Sequence, residues 1–90
     1  MSVIRFFTMP GCGACVAVRS VLDRVVPSYP DVEVEEIDLA ERPEEASRYG
    51  VMACPALALD SELAFVGGVG ERALRSRLDR LTATATPNSR

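Results

Sequence analysis

The chain is predicted to be an α/β domain of order β-α-β-α-β-β-α, with a four-stranded mixed sheet and helices on both faces. Three observations lead there. A short β-like run, Val3 to Thr8, passes directly through Cys12-Gly13-Ala14-Cys15 into an apolar-periodic segment. A continuous apolar run, Ala56 to Leu59, follows Pro55 and turns back through Asp60-Ser61 into Leu63 to Val66. Between these two halves lies an alternating segment that starts at Val32. A strand, a helix and a strand in sequence imply a right-handed parallel crossover, whereas two strands joined by two residues imply an antiparallel hairpin.

The first strand is read over about Val3 to Thr8, and Met9-Pro10-Gly11 as a turn. The first helix is expected from about Cys12 to Val26. Val18, Leu22 and Val25 recur at helical spacing beside Val21, and Arg19, Asp23 and Arg24 fall elsewhere around it. Pro27 and Pro30 stop that helix. Val32-Glu33-Val34-Glu35 alternates as a half-buried strand does, but the phase slips at Glu36, because Ile37 and Leu39 take odd positions. A bulge or an exposed edge accounts for such a slip.

Pro43-Glu44-Glu45 has the proline and acids favoured in a helix first turn, and Gly50 stands where such a helix would end. Ala56 to Leu59 has the unbroken apolar character of a buried strand. Gly67-Gly68 breaks the returning strand. A last helix is expected from about Glu71 to Leu81, with Leu74, Leu78 and Leu81 on one side. The domain is thus expected to span residues 1–81, with a disordered tail over residues 82–90, which are small, polar and patternless.

Ninety residues suit one small domain, and a hydrophobic content of 48% is enough for a compact core. No apolar run approaches the roughly 20 residues of a membrane span. The chain does not open on a basic region followed by an apolar one, so no signal peptide is expected and the setting is read as cytoplasmic. There thiols are mostly reduced, and a C-x-x-C is catalytic or metal-binding more often than structural. A formal net charge of −3 disfavours nucleic acid as a partner. The chain has no histidine, which removes Cys/His zinc patterns and Cys–His catalytic pairs.

The cysteine spacing has a chemical reason. A cysteine at a helix N-terminus meets unpaired backbone N–H groups and the positive end of the helix dipole, both of which favour a thiolate. Such sites lower the thiol pKa below its free value of about 8.5. A second cysteine three residues on shares the helix face and can attack a mixed disulfide formed on the first. Redox chemistry is therefore read at Cys12 and Cys15. A structural zinc site needs four ligands, more than the 3 cysteines of this chain supply.

Cys54 stays open: a small core hydrophobe, a third thiol beside the dithiol, or a ligand with the other two cysteines for a soft metal or iron–sulfur cluster. Gly67-Gly68 either admits a substrate backbone or only forms a tight turn. Met9-Pro10-Gly11 is read as an exposed rim beside Cys12. Arg72, Arg75, Arg77 and Arg80 are read as a solvated face, and Tyr49 as a packing residue.

The element order, the C-x-x-C after the first strand and the proline opening the third strand together resemble the thioredoxin superfamily over about Val3 to Leu81. Phe6-Phe7-Thr8-Met9-Pro10-Gly11-Cys12 is similar to the glutaredoxin pattern. Pro55 through Gly67 is similar to small archaeal and bacterial thioredoxin-like redox-active disulfide proteins. The resemblance implies Cys12 as nucleophile, Cys15 as resolving cysteine and Pro55 as a cis-proline facing the dithiol. It also implies that the backbone of the residue before that proline, here Cys54, pairs with the substrate chain; the candidate substrate-binding residues are then Cys54 and Pro55, with Pro10 and Gly11 of the rim and Gly67 and Gly68 of the glycine pair beside them.

The chain departs from thioredoxins in having Gly13-Ala14 between the cysteines, Gly11 in place of tryptophan, and Phe6 where a buried acid is kept. It departs from glutaredoxins in having Cys54-Pro55 for Val-Pro, and in lacking their usual glutathione-binding acid and lysine. The expected function is reduction of protein disulfides by a monomer that requires no cofactor. Thioredoxin reductase is the first-choice electron donor and glutathione the second. The alternative is a metal- or iron–sulfur-binding carrier using Cys12, Cys15 and Cys54.

Overall fold

A computed structural model describes residues 2–84. The elements are β1 (Ser2–Thr8), α1 (Gly13–Val25), a 3-10 turn (Val26–Ser28), β2 (Val32–Asp38), α2 (Glu44–Tyr49), β3 (Ala56–Leu59), β4 (Glu62–Val66) and α3 (Glu71–Thr84). The sheet order is β2-β1-β3-β4. β1 pairs parallel with β2 and antiparallel with β3, and β3 pairs antiparallel with β4. This is the expected four-stranded mixed sheet.

The two faces of the sheet hold separate cores. Ile4, Phe6, Val32, Leu57 and Leu59 pack with the inner side of α1 and with Leu74 and Leu78 of α3. On the opposite face, Phe7, Ile37, Ala56 and Ala58 pack with Val51 and with Ala46 and Tyr49 of α2. Val18, Val21, Leu22 and Val25 are buried, as their spacing predicts. Each fully buried aliphatic or aromatic side chain contributes about 1.5–3 kcal/mol by leaving water. Among the largest of these are Phe6, Phe7, Leu74 and Leu78.

The two cores explain the phase slip in β2. Its pairing with β1 runs without a break from Ser2↔Val32 to Thr8↔Asp38, so β2 carries no bulge. β2 is an edge strand. Val32 turns toward α1 and α3, Ile37 turns toward α2, and Val34 between them is left exposed. The irregularity lies elsewhere, between β3 and β4. There Leu57 faces Phe65 and Ala58 faces Leu63, which leaves Ala64 as an extra residue.

The ends of the helices differ slightly from expectation. Cys12 caps α1 rather than opening it, and Pro27 enters a 3-10 turn after Val25. Gly50 ends α2 in the left-handed conformation, φ 72°, and Val51 N–H reaches back to Ala46 O at 2.8 Å. α3 runs through Thr84 rather than stopping at Leu81, so residues 82–84, expected in the tail, are helical. Thr82 contributes there by donating its hydroxyl to Leu78 O at 2.9 Å. Residues 85–90 of the expected tail lie outside the described residues.

Candidate active site

Both parallel strands end on the same edge of the sheet, and the dithiol sits there. β1 stops at Thr8, whose carbonyl accepts Leu39 N–H at 2.9 Å. The chain then turns through Met9-Pro10-Gly11, with Cys12 N–H bonded to Met9 O at 3.2 Å. Gly11 has φ 78°, a conformation that L side chains rarely adopt. Pro10 and Gly11 are exposed beside the helix start.

Cys12 is the N-cap of α1, and its sulfur accepts Cys15 N–H at 3.1 Å. That bond uses one of the donors left unpaired at a helix start. The two cysteines form a disulfide with their Cα atoms 5.3 Å apart. They are not equivalent. Cys12 is partly exposed, whereas Cys15 is 3% exposed and belongs to the core.

A cleft of about 510 Å³ opens against the disulfide. Thr8, Met9, Val16, Arg19, Glu36 and Asp38 contribute to its walls. The Arg19 guanidinium lies 5.5 Å above the Phe6 ring and is bonded to Glu36, which holds the Arg19 proton more tightly than usual.

The Cys54–Pro55 peptide bond is cis, and Pro55 is fully buried. Pro55 O accepts Gly67 N–H at 2.8 Å. Gly67 and Gly68 are exposed with φ 90° and 152°. Cys54 is a free, half-buried thiol packed against the same core cluster as Cys12. Burial pushes its pKa up, and the nearby charge of Asp38 adds to that. Cys54 also lines an apolar groove of about 260 Å³ with Met9, Val51 and Met52, the last of which is 95% exposed.

The structure therefore brings Pro10, Gly11, Cys12 and Cys15 to one cleft, joins Pro55 to Gly67, and sets Cys54 against the core beside them. The sequence reading missed Asp38, Glu36 and Arg19 as walls of the dithiol cleft. A signal was available: C-terminal ends of adjacent parallel strands lie side by side, so the end of β2 had to stand next to Thr8. Among the described residues, no group of three or more cysteine, aspartate or glutamate side chains is arranged to hold a metal ion. The carrier reading needs Cys12, Cys15 and Cys54 together as thiolates, whereas here Cys12 and Cys15 are bonded to each other. Nor is any described helix long and apolar enough to cross a membrane.

A mixed sheet with a disulfide at the junction of its central strand and first helix defines a class of α/β dithiol–disulfide proteins. The comparisons place the chain within it. Residues 3–77 match the family described as "Thioredoxin domain". Thioredoxin of Methanocaldococcus jannaschii is 39% identical over 72 residues, 79% of this chain and 85% of that protein. The solved structure of mitochondrial thioredoxin 3 from Saccharomyces cerevisiae, in its oxidised form, superposes with a TM-score of 0.75 at 27% identity. That match covers 88% of this chain and 77% of the yeast one. NADPH-dependent thioredoxin reductase 3 of Arabidopsis thaliana contains a segment 37% identical over 54 residues, 59% of this chain and 10% of that enzyme. The chain belongs to the thioredoxin family, and its Cys12–Cys15 pair makes it a thiol–disulfide oxidoreductase.

Proposed function

We propose that the protein reduces disulfides of protein substrates, with Cys12 as the attacking thiol and Cys15 as the resolving one. The difference in burial between the two cysteines carries this reading: Cys12 is accessible at the helix N-cap, and Cys15 is enclosed one turn below. In the reduced protein the Cys12 thiolate is favoured by Cys15 N–H and by the start of α1. It attacks one sulfur of the substrate disulfide, and the other substrate sulfur leaves as a thiolate. Cys15 then attacks Cys12, the substrate leaves reduced, and the Cys12–Cys15 disulfide remains.

The exposed residues Pro10, Gly11, Gly67 and Gly68 are the surface offered to a polypeptide substrate. Pro10-Gly11 forms one side. The Cys54-Pro55 segment and Gly67-Gly68 are taken as the other, tied to each other by the Pro55–Gly67 bond, with Cys54 packed against the same core cluster as Cys12. That bond occupies Gly67 N–H, so Gly67 offers a substrate its open space rather than its donor. Regeneration requires an external electron donor. A thioredoxin reductase comes first, supported by the likeness to a segment of a plant thioredoxin reductase. Glutathione comes second, because the chain lacks part of the glutaredoxin set of glutathione contacts. The working form is read as a cytoplasmic monomer.

The test is reduction of a disulfide-linked two-chain protein, driven by reductase and NADPH or, separately, by glutathione. Cys12→Ser is expected to abolish turnover, and Cys15→Ser to accumulate a mixed disulfide on Cys12. Full activity in Cys12→Ser overturns the assignment of the nucleophile.

A further inference from the structure

Resolution of the mixed disulfide requires a buried thiol to lose its proton. Cys15 is 3% exposed, and an SH group is a poor nucleophile until it ionises. Phe6, on the strand before the dithiol and itself buried, offers no proton acceptor. The proton must therefore leave through the cleft that Cys15 lines.

That cleft holds two carboxylates. Glu36 is bonded to the guanidinium of Arg19, also a cleft residue, and its charge is compensated. Asp38 stands at the last position of β2, directly opposite Thr8 in the strand register. Its Oδ1 accepts Ala40 N–H at 2.8 Å, which fixes the carboxylate while leaving acceptor capacity. Its own carbonyl holds the chain beyond the strand by accepting Glu41 N–H at 3.0 Å and Arg42 N–H at 2.9 Å. The Arg42 side chain turns away, to Glu35 at 3.4 Å and Glu45 at 3.6 Å. The charged and titratable groups around Asp38 are thus Cys12 at the N-cap of α1 and Cys15 within it, the Arg19–Glu36 pair, and Cys54 from the segment before β3. Thr8 and Asp38 line the same cleft of about 510 Å³ as Cys12 and Cys15, a volume large enough for water.

We propose that Asp38 is the proton acceptor for the resolving step, taking the Cys15 proton through water in the cleft. The inference rests on Cys15 being the resolving thiol. As Cys15 Sγ–H ionises, its proton passes to the Asp38 carboxylate. The thiolate forms a bond to Cys12 Sγ, the bond from Cys12 to the substrate sulfur breaks, and the substrate leaves as a thiolate. Asp38 then returns its proton to solvent. The influence of Asp38 on Cys54 supports the same picture, since the carboxylate's field reaches a thiol at this edge of the sheet.

The test uses the aromatic disulfide 5,5′-dithiobis(2-nitrobenzoate) in stopped flow against reduced protein carrying Cys54→Ser throughout. Attack by Cys12 releases one coloured thiolate, and attack by Cys15 on the resulting mixed disulfide releases the second. Asp38→Asn keeps an oxygen for Ala40 N–H and removes the base. Its expected effect is a second phase about 10-fold or more slower at pH 6, with the gap to the parent narrowing as pH rises and closed by pH 9, and with the first phase little changed. Asp38→Glu, which restores a carboxylate, is expected to recover part of the rate at pH 6. An unchanged second phase, or one accelerated because only a repelling charge was lost, overturns the proposal. A second coloured thiolate still released by Cys15→Ser overturns instead the underlying assignment of Cys15.

Discussion

Gly67 donates its backbone N–H to the carbonyl oxygen of Pro55 at 2.8 Å, one step beyond the last ladder pair, Ala56↔Val66. The hairpin of β3 and β4 is thereby prolonged to the edge where the dithiol lies. The segment before β3 and the segment after β4 are thereby joined through backbone at that edge. Both are exposed at their outer residues and anchored at their inner ones, which is how a rigid sheet presents loops for recognition.

Gly67→Ala tests that junction. At φ 90° an L residue is strained, and an added Cβ would meet nothing within 4 Å, so the backbone alone bears the cost. The expected destabilisation is about 1–2 kcal/mol, read as a lower urea midpoint at unchanged slope. Because the strained residue belongs to the proposed substrate surface, KM for a protein disulfide should rise more than kcat falls. An unchanged stability would mean that the turn relaxes to a negative φ and that the Pro55–Gly67 bond does not hold it.

Cys54 gives a second test. In the oxidised protein it is the one free thiol, since Cys12 and Cys15 are joined. Alkylation by iodoacetamide requires the thiolate, and both burial and Asp38 favour the protonated form. The alkylation rate at pH 8 should therefore fall well below that of an unstructured cysteine peptide, with its midpoint above the ordinary value of about 8.5. Asp38→Asn should move that midpoint down while leaving the larger effect of burial. Rapid alkylation at pH 7 would instead mark Cys54 as a reactive third thiol.

Much of this arrangement was legible in the chain, and the parts that were not have physical reasons. The inward stripe of α1, the apolar run of β3 and the cysteine spacing each follow from local periodicity, which a sequence states directly. The slip in β2 was visible, but its meaning was not. Alternation shows that Val32 and Ile37 point opposite ways, and only the sheet shows that each direction meets its own core. The bulge at Ala64 depends on which residue of β3 faces which of β4, a long-range pairing with no local signal. By sequence Asp38 is one acid among several in an acidic strand. Its place at the dithiol cleft comes from standing beside Thr8 across the parallel ladder, 30 positions away in the chain. Residues 82–84 are small or polar in sequence, so no apolar spacing marks the helix continuing past Leu81.

The contact between α1 and α3 can be tested through Glu71. Arg24, in the last turn of α1, donates Nε–H to Glu71 at 3.1 Å, and Arg75 holds the second Glu71 oxygen at 3.1–3.2 Å from one turn along α3. Each charge also suits its helix end, the cation at the C-terminus of α1 and the acid at the N-terminus of α3. The bond from Arg24, then that from Arg75, lowers the Glu71 pKa below the ordinary carboxylate value. A carboxyl depressed in the folded state stabilises the fold above its unfolded pKa of about 4.3, and that contribution disappears as pH falls through the lower folded value. Glu71→Gln should therefore reduce the urea midpoint at pH 7, by the small amount expected of a solvent-exposed network. The gap to the parent should close as the pH is taken below the folded pKa of Glu71, where both proteins carry a neutral side chain. Added salt at pH 7 should narrow it as well, since the pairs are open to solvent. A gap that persists unchanged in acid would show that the glutamine disturbs packing at the start of α3, and that the charge of Glu71 contributes nothing to holding the two helices together.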